Sequence, residues 1–238
     1  MIIDENDEYL IIRMDNGLNT LDVDAIKEIT DNISKRKPTI ITGNDKAFSA
    51  GANVKKFLGL SKSDAYNISR QAHEMLLKIT GNSMPVIAAI KGYALGGGFE
   101  LALACDLRFA DLDAKFGFPE IKLGIIPGWG GTQRLKPLIG ETRAMEMILT
   151  GKIIDSNQAF SLGILNYIGG DYMNRAIDMA SSIYNKSHEA VSAIKYLLRQ
   201  GSLDLEMERF AGLFDEYNSK EGINAFLEKR EPKFNLND

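Results

Sequence analysis

Apolar positions along this chain recur at two spacings. Leu10 to Met14 is rich in apolar residues and reads as a strand, closed by the turn signal Asp15-Asn16-Gly17. Thr39-Ile40-Ile41-Thr42 is β-branched throughout and reads as a buried strand ending at Gly43-Asn44. Val86 to Ile90 follows Pro85 as a third strand, and Leu107 to Ala110 and Leu165 to Ile168 read as two more. Between them the spacing changes to threes and fours. Ala65, Ile68, Ala72, Leu76 and Ile79 predict a helix over 61–79. Asp22 is placed to cap a helix running to about Ile33, and Asp155 to cap one that ends at Gly163. Phe99 to Cys105, Gln133 to Leu138 and Glu141 to Leu149 read as shorter helices.

Strands and helices alternate to about Gly170, which predicts an α/β fold with parallel pairing. Beyond that the pattern is helical only: Tyr172 to Tyr184, Glu189 to Gln200, Leu203 to Tyr217 and Lys220 to Arg230. The expected organisation is an α/β core over 1–184 and a C-terminal helical region over 185–238. Leu197, Leu198, Leu203, Leu205, Met207, Phe210, Leu213 and Phe214 give that region more apolar side chains than a short tail buries against itself. Surface of that kind marks an interface, here between copies of the chain.

Composition narrows the function without naming it. The 238 residues are 45% hydrophobic and 25% charged, ordinary for a globular chain, with net charge −4. Nucleic acid is not an expected partner, because neutralising phosphates takes a basic face. No apolar run approaches the ~20 residues of a membrane span. The acidic start lacks the form of a signal peptide, so a cytoplasmic location is expected. The single Cys105 lies in an apolar helix and reads as a buried small hydrophobe. Lys35-Arg36-Lys37 reads as a solvated loop, and His73 and His188 stand in no metal-ligand spacing. There is no dinucleotide fingerprint, phosphate loop or serine-hydrolase elbow.

Three segments carry candidate chemistry. Lys46-Ala-Phe-Ser-Ala-Gly-Ala-Asn-Val-Lys55 reads as a glycine-containing turn. Gly92-Tyr-Ala-Leu-Gly-Gly-Gly-Phe-Glu100 ends in a carboxylate set among apolar residues. Three consecutive glycines allow a ligand to approach the main chain, and a helix beginning there aims free N–H groups at it. In Phe116-Gly-Phe-Pro-Glu120 a second carboxylate has similar flanks, and a loop rich in glycine and proline follows to Arg134. Two acids in a dry site raise each other's pKa and suit proton transfer near neutral pH. Spacing alone leaves open whether they face one another or each lies on a solvated face.

Taken together, these segments resemble the enoyl-CoA hydratase/isomerase (crotonase) superfamily. Gly124-Ile-Ile-Pro-Gly-Trp-Gly-Gly-Thr-Gln-Arg-Leu135, Leu149-Thr-Gly-Lys152, Ala159-Phe-Ser-Leu-Gly163 and Lys220 to Phe234 extend the match in order over nearly the whole chain. The resemblance implies a crotonase-like spiral of ββα turns with a C-terminal helical oligomerisation region, assembled as a homotrimer or a hexamer of two trimers. It implies an acyl-CoA thioester substrate, with CoA part of that substrate and no separate cofactor or metal. The thioester oxygen would sit between the backbone N–H groups of Ala52 and Gly97. Glu100 and Glu120 would hold a water, one activating it for attack at the β-carbon and Glu120 exchanging the proton at the α-carbon. Ala50, Asn53, Val54 and Lys55 would lie along the substrate, and Phe226 and Lys229 would reach a neighbour's CoA site.

Two departures stand out. Asn53 replaces the aspartate usual in the first motif, and basic residues are absent around Asn16-Gly17-Leu18-Asn19, which leaves the CoA phosphates to Lys55, Lys56 or a neighbour's Lys229. Possession of both acids favours hydration of a 2-enoyl-CoA. The alternatives are an isomerase or other acyl-CoA transformation on the same oxyanion hole, and a non-catalytic CoA-binding subunit, which requires neither acid.

Overall fold

The computed structural model describes residues 1–234; the last four residues of the expected 185–238 region lie outside the described residues. The strands, in chain order, are β1 (Ile2–Glu5), β2 (Leu10–Arg13), β3 (Thr39–Thr42), β4 (Ala47–Ser49), β5 (Val86–Ile90), β6 (Tyr93–Leu95), β7 (Leu107–Ala110), β8 (Lys115–Gly117), β9 (Ile153–Asp155) and β10 (Tyr167–Ile168). The helices are α1 (Val23–Asp31), α2 (Lys62–Thr80), α3 (Gly97–Ala104), α4 (Gly131–Ile139), α5 (Glu141–Thr150), α6 (Ser156–Ser161), α7 (Tyr172–Tyr184), α8 (His188–Gln200), α9 (Leu203–Gly212) and α10 (Tyr217–Glu228).

The strands form a six-stranded sheet, β1-β2-β3-β5-β7-β10, and a four-stranded sheet, β4-β6-β8-β9. Pairing is parallel except at β1–β2 and β8–β9. Successive turns of chain follow one plan. A strand enters the large sheet (β3, β5, β7), the next enters the small one (β4, β6, β8), and a helix closes the turn (α2, α3, α4). This is the spiral of ββα turns that the resemblance implies.

The central strands β3 and β5 of the large sheet are buried on both faces, which is why they read as unbroken runs with few polar residues, whereas the edge strand β1 is exposed. Ile41, Ala88 and Ile90 face the main core, with Phe48, Phe99, Phe116 and Phe118. Their neighbours Ile40, Ile87 and Ala89 face the other way, onto Ala176 and Ala180 of α7. Caps fix the helices as the sequence predicts. Asp22 accepts from Ala25 N–H at 2.9 Å, and Asp155 forms a reciprocal cap with Gln158.

Four expectations about elements are corrected. The four-stranded sheet was absent from the sequence reading, and Ala47–Ser49 is a strand within what read as a turn. Its strands are three residues each, too short to show an alternation. The helix expected over Leu203 to Tyr217 stops at Gly212, and a tight turn (Leu213–Asp215) leads into α10. The strand expected at Leu165 is confined to Tyr167–Ile168. α3 and α4 begin two residues earlier than the apolar pattern places them, because each opens on glycine, which adds no apolar side chain to the pattern.

One ionic cluster ties α8 to the core. Lys195 donates to Asp106 at 2.7 Å and to the carbonyls of Ile79 and Met84 at 3.3 Å, while Arg199 donates to Asp106 at 2.8 Å. The Asp106 carboxylate also accepts from Val86 N–H at 2.7 Å, at the start of β5. Removing one partner of a buried pair strands the other charge. Asp106→Ala is therefore expected to lower unfolding free energy by about 3 kcal/mol, read from urea denaturation.

Candidate active site

The second turn of the spiral supplies the first half of the site. β6 ends at Leu95 and α3 begins at Gly97, every residue of which is buried. Gly96, between them, has φ +52°, and a side chain there would put its first carbon 2.7 Å from the Glu120 carboxylate. At Gly97 a side chain would collide with the Trp129 ring. Glycine is thus required twice, once by backbone conformation and once by close approach. The preceding turn brings Gly51 against Leu95 and Gly97, so Ala52 arrives beside the N-terminus of α3.

Two backbone donors are left over at that junction. Ala52 pairs with Leu21 in a parallel bridge that uses the N–H groups of Leu21 and Asn53, and its own N–H points away from Leu21. Gly97 is the first residue of α3, where an N–H has no partner within its helix. Among the described residues neither N–H donates to a protein acceptor. The α3 dipole adds a positive potential at Gly97.

One turn into α3 lies Glu100, 1% exposed. Its Oε1 accepts from Trp129 N–H at 2.7 Å and from Gly131 N–H at 2.8 Å, at the N-terminus of α4. Burial pushes its carboxyl from an ordinary 4.5 up to about 7; the two N–H bonds oppose that rise, Glu120 adds to it, and Arg134 opposes it. Glu120 stands in the 3₁₀ turn Pro119–Leu123, which ends on Gly124 in the left-handed conformation. Burial raises its pKa too. Its Oε2 is buried without a hydrogen-bond partner among the described residues, an arrangement that favours the neutral acid.

A cavity of about 620 Å³ joins these groups. Ala50, Ala52, Gly97, Glu100 and Glu120 all reach it, and so does Val54. Apart from Ser69, the side chains of the rest of its wall are apolar, among them Leu58 and Leu60 before α2, Ile68 of α2, and Ile125, Ile126 and Trp129 before α4. The two carboxyls therefore face one space, which the sequence left undecided. Asn53 caps the 3₁₀ turn Val54–Phe57 and is half-buried; Lys55 lies exposed on that turn. Lys56 is occupied by Asp22 at 2.6 Å, whereas Lys55 makes no ion pair among the described residues. Phe226 is 83% exposed at the end of α10, next to Lys229 in the left-handed conformation, and neither reaches the cavity of its own chain.

Four contributors escaped the sequence reading. The N–H groups of Trp129 and Gly131 carry no side-chain signature. Arg134, which donates to the Trp129 carbonyl at 2.7 Å, looked like an ordinary helix residue. Ser69, which donates to the Gly128 carbonyl at 2.6 Å, looked the same.

Comparison with known proteins identifies the family. Residues 5–237 match the family model described as enoyl-CoA hydratase/isomerase. A probable enoyl-CoA hydratase of Bacillus subtilis (strain 168) is 41% identical over 206 residues, covering 82% of this chain and 80% of the relative. A crotonyl-CoA hydratase of Syntrophomonas wolfei is 36% identical, covering 98% of this chain and 97% of its own. The crystal structure of an enoyl-CoA hydratase from Bacillus anthracis superposes with a TM-score of 0.91 at 32% identity, covering 98% of both chains.

Proposed function

The chain belongs to the enoyl-CoA hydratase/isomerase family, and from that premise we propose that it is a hydro-lyase adding water across the 2,3 double bond of a 2-enoyl-CoA to give a 3-hydroxyacyl-CoA. The observation that carries this reading is the meeting of Glu100 and Glu120 on one apolar cavity with two unclaimed backbone N–H groups.

The chemistry follows from those groups. The thioester oxygen accepts from Ala52 N–H and Gly97 N–H, which polarises the double bond toward the carbonyl. Ionised Glu100 takes a proton from water as its oxygen bonds to the β-carbon. Electron density moves through the α-carbon onto the thioester oxygen, where the two donors stabilise the enolate; one such donor is worth ~3–4 kcal/mol. Neutral Glu120 then delivers its proton to the α-carbon, and the enolate returns to the thioester. Glu100 ends protonated and Glu120 ionised, so one proton passes back between them before the next turnover. No cofactor beyond the substrate's own CoA enters this scheme.

The productive state needs the pair's proton on Glu120. Burial alone favours it on Glu100, the more enclosed of the two. Two N–H bonds to Glu100, and none among the described residues to the buried Oε2 of Glu120, favour the productive arrangement. Hydration kcat/KM is thus expected to rise with pH through an apparent pKa of about 7, not near the ordinary 4.5, because the base must be ionised. The sign is opposite for the fold. A carboxyl that binds its proton more tightly when folded makes stability fall as pH climbs from 4.5 to about 7. Rate and melting profiles over that range check both.

The same proposal assigns residues beyond the cavity. Lys55, and Lys229 with Phe226 from a neighbouring subunit, would engage CoA. Assembly as a trimer or a dimer of trimers is supported by Leu198, Leu203, Phe210, Phe226 and Leu227, all at least 64% exposed on α8–α10. Sedimentation is expected to show a trimer or hexamer, and a fully active monomer would contradict it. The reaction itself is tested by loss of the conjugated enoyl-thioester absorbance across acyl-chain lengths. Turnover by double-bond migration without hydration would support isomerase use of the site instead.

A further inference from the structure

The turn that binds Glu100 is itself clamped from two sides, by Ser69 on the cavity wall and by Arg134 behind it. Ser69 of α2 holds the Gly128 carbonyl at 2.6 Å. Arg134, on the first turn of α4, donates to the Trp129 carbonyl at 2.7 Å. Gly130 has φ +105° and passes beneath the guanidinium, where any side chain would collide with Arg134 and press on His73 Cε1. The Trp129 carbonyl belongs to the peptide between residues 129 and 130. The peptides on either side of it carry the Trp129 and Gly131 N–H groups that bind Glu100. Anchoring the middle peptide, with Ser69 on the Gly128 carbonyl of the peptide that carries Trp129 N–H, restricts the direction of both donors.

Charge acts in the same sense. Glu120, from the 3₁₀ turn, and Arg134, from α4, are the charged groups acting on Glu100; the first opposes its ionisation and the second favours it. Arg134 is itself half-buried, and Glu100 is the foremost group supporting its charge against burial. From α2, His73 faces this cluster, and burial together with Arg134 keeps it below its ordinary value and so neutral at pH 7.

We propose that Arg134 is a positioning residue for hydration: by holding the Trp129 carbonyl it locks the peptide between the two N–H donors to Glu100, the water-activating base, and its charge favours the carboxylate form of that base. The inference rests on the reading of Glu100 as that base. Arg134 does not line the cavity, so its effect on the reaction runs through Glu100.

The test uses Arg134→Met, Arg134→Lys and Glu100→Gln in the full chain, with hydration kinetics measured against pH. Arg134→Met is expected to lower kcat about 10- to 100-fold with little change in KM, the size of loss that follows misplacement of a reacting group. It should also move the acid limb of kcat/KM up by about one unit, the effect of losing a nearby opposite charge. Arg134→Lys keeps the charge and loses the planar fork. Its acid limb should stay at the wild-type position while kcat remains reduced. In a Glu100→Gln background, Arg134→Met should cost little more, because the two act as a unit.

An unmoved acid limb in Arg134→Met, a loss confined to KM, or a full additional loss in the double variant would overturn the proposal. If Arg134→Met melts before assay, Arg134→Lys decides: wild-type kcat there overturns it as well. The outcomes separate from the underlying reading. A fully active Glu100→Gln enzyme rejects Glu100 as base, whereas an inactive one with an insensitive Arg134 rejects only the positioning role.

Discussion

Glu120→Gln is expected to reduce kcat for hydration at least ~10²-fold while acyl-CoA binding persists. The substitution keeps the volume and planarity of the side chain but removes the titratable proton. Gly96 leaves just enough room for the Glu120 carboxyl, so an isosteric amide fits where a larger group would not. The loss should appear in kcat, because the proton moves only as the α-carbon is attacked. The lone buried Oε2, which has no hydrogen-bond partner among the described residues, is the atom that carries the proton in this account. Near-wild-type turnover would remove Glu120 from the mechanism. Calorimetry or fluorescence titration with a saturated acyl-CoA checks that binding survives.

Glu100→Gln should be at least as damaging, by ~10²-fold or more in hydration. Glutamine retains an oxygen acceptor for Trp129 N–H and Gly131 N–H, so the turn stays in place and the variant reports on chemistry instead of folding. Glu100→Ala would mix the two effects, since it orphans two buried donors at about 1–3 kcal/mol each. In Glu100→Gln the acid limb near pH 7 should vanish from whatever activity remains. Retained hydration with impaired double-bond migration would instead favour the isomerase reading.

Their apolar flanks made these two acids candidates in the sequence, and the family resemblance supplied their roles. A glutamate inside Phe99 to Cys105 or behind Phe116-Gly-Phe-Pro is costly unless the fold uses it, and both proved to face one cavity. The sequence foretold the large sheet for a related reason. Strands such as Val86–Ile90, covered on both faces, leave no polar interruption in the pattern. The small sheet lacked that signal. Tyr93–Leu95 and Lys115–Gly117 are three residues long, begin with an exposed tyrosine and a half-exposed lysine, and sit next to or end in glycine. Periodicity has nothing to act on over such a length. Yet these strands carry the main chain that places Ala52, Gly97 and Glu120 together. The partners of Glu100 were hidden for a different reason. They are main-chain N–H groups, brought 29 and 31 residues across the sequence by packing of α3 on α4. Side-chain identity at Trp129 and Gly131 does not reveal a hydrogen bond made by the backbone.

The central claim is that one apolar cavity presents two N–H groups to the thioester oxygen and two carboxyls to the reacting carbons. A crystal structure of the protein with a bound saturated acyl-CoA tests it most directly. The account predicts the thioester oxygen ~2.7–3.1 Å from both the Ala52 and Gly97 nitrogens. It also predicts the α- and β-carbons lying between Glu100 and Glu120. A thioester oxygen outside hydrogen-bond reach of either nitrogen, or an acyl chain that bypasses the two carboxyls, would contradict it.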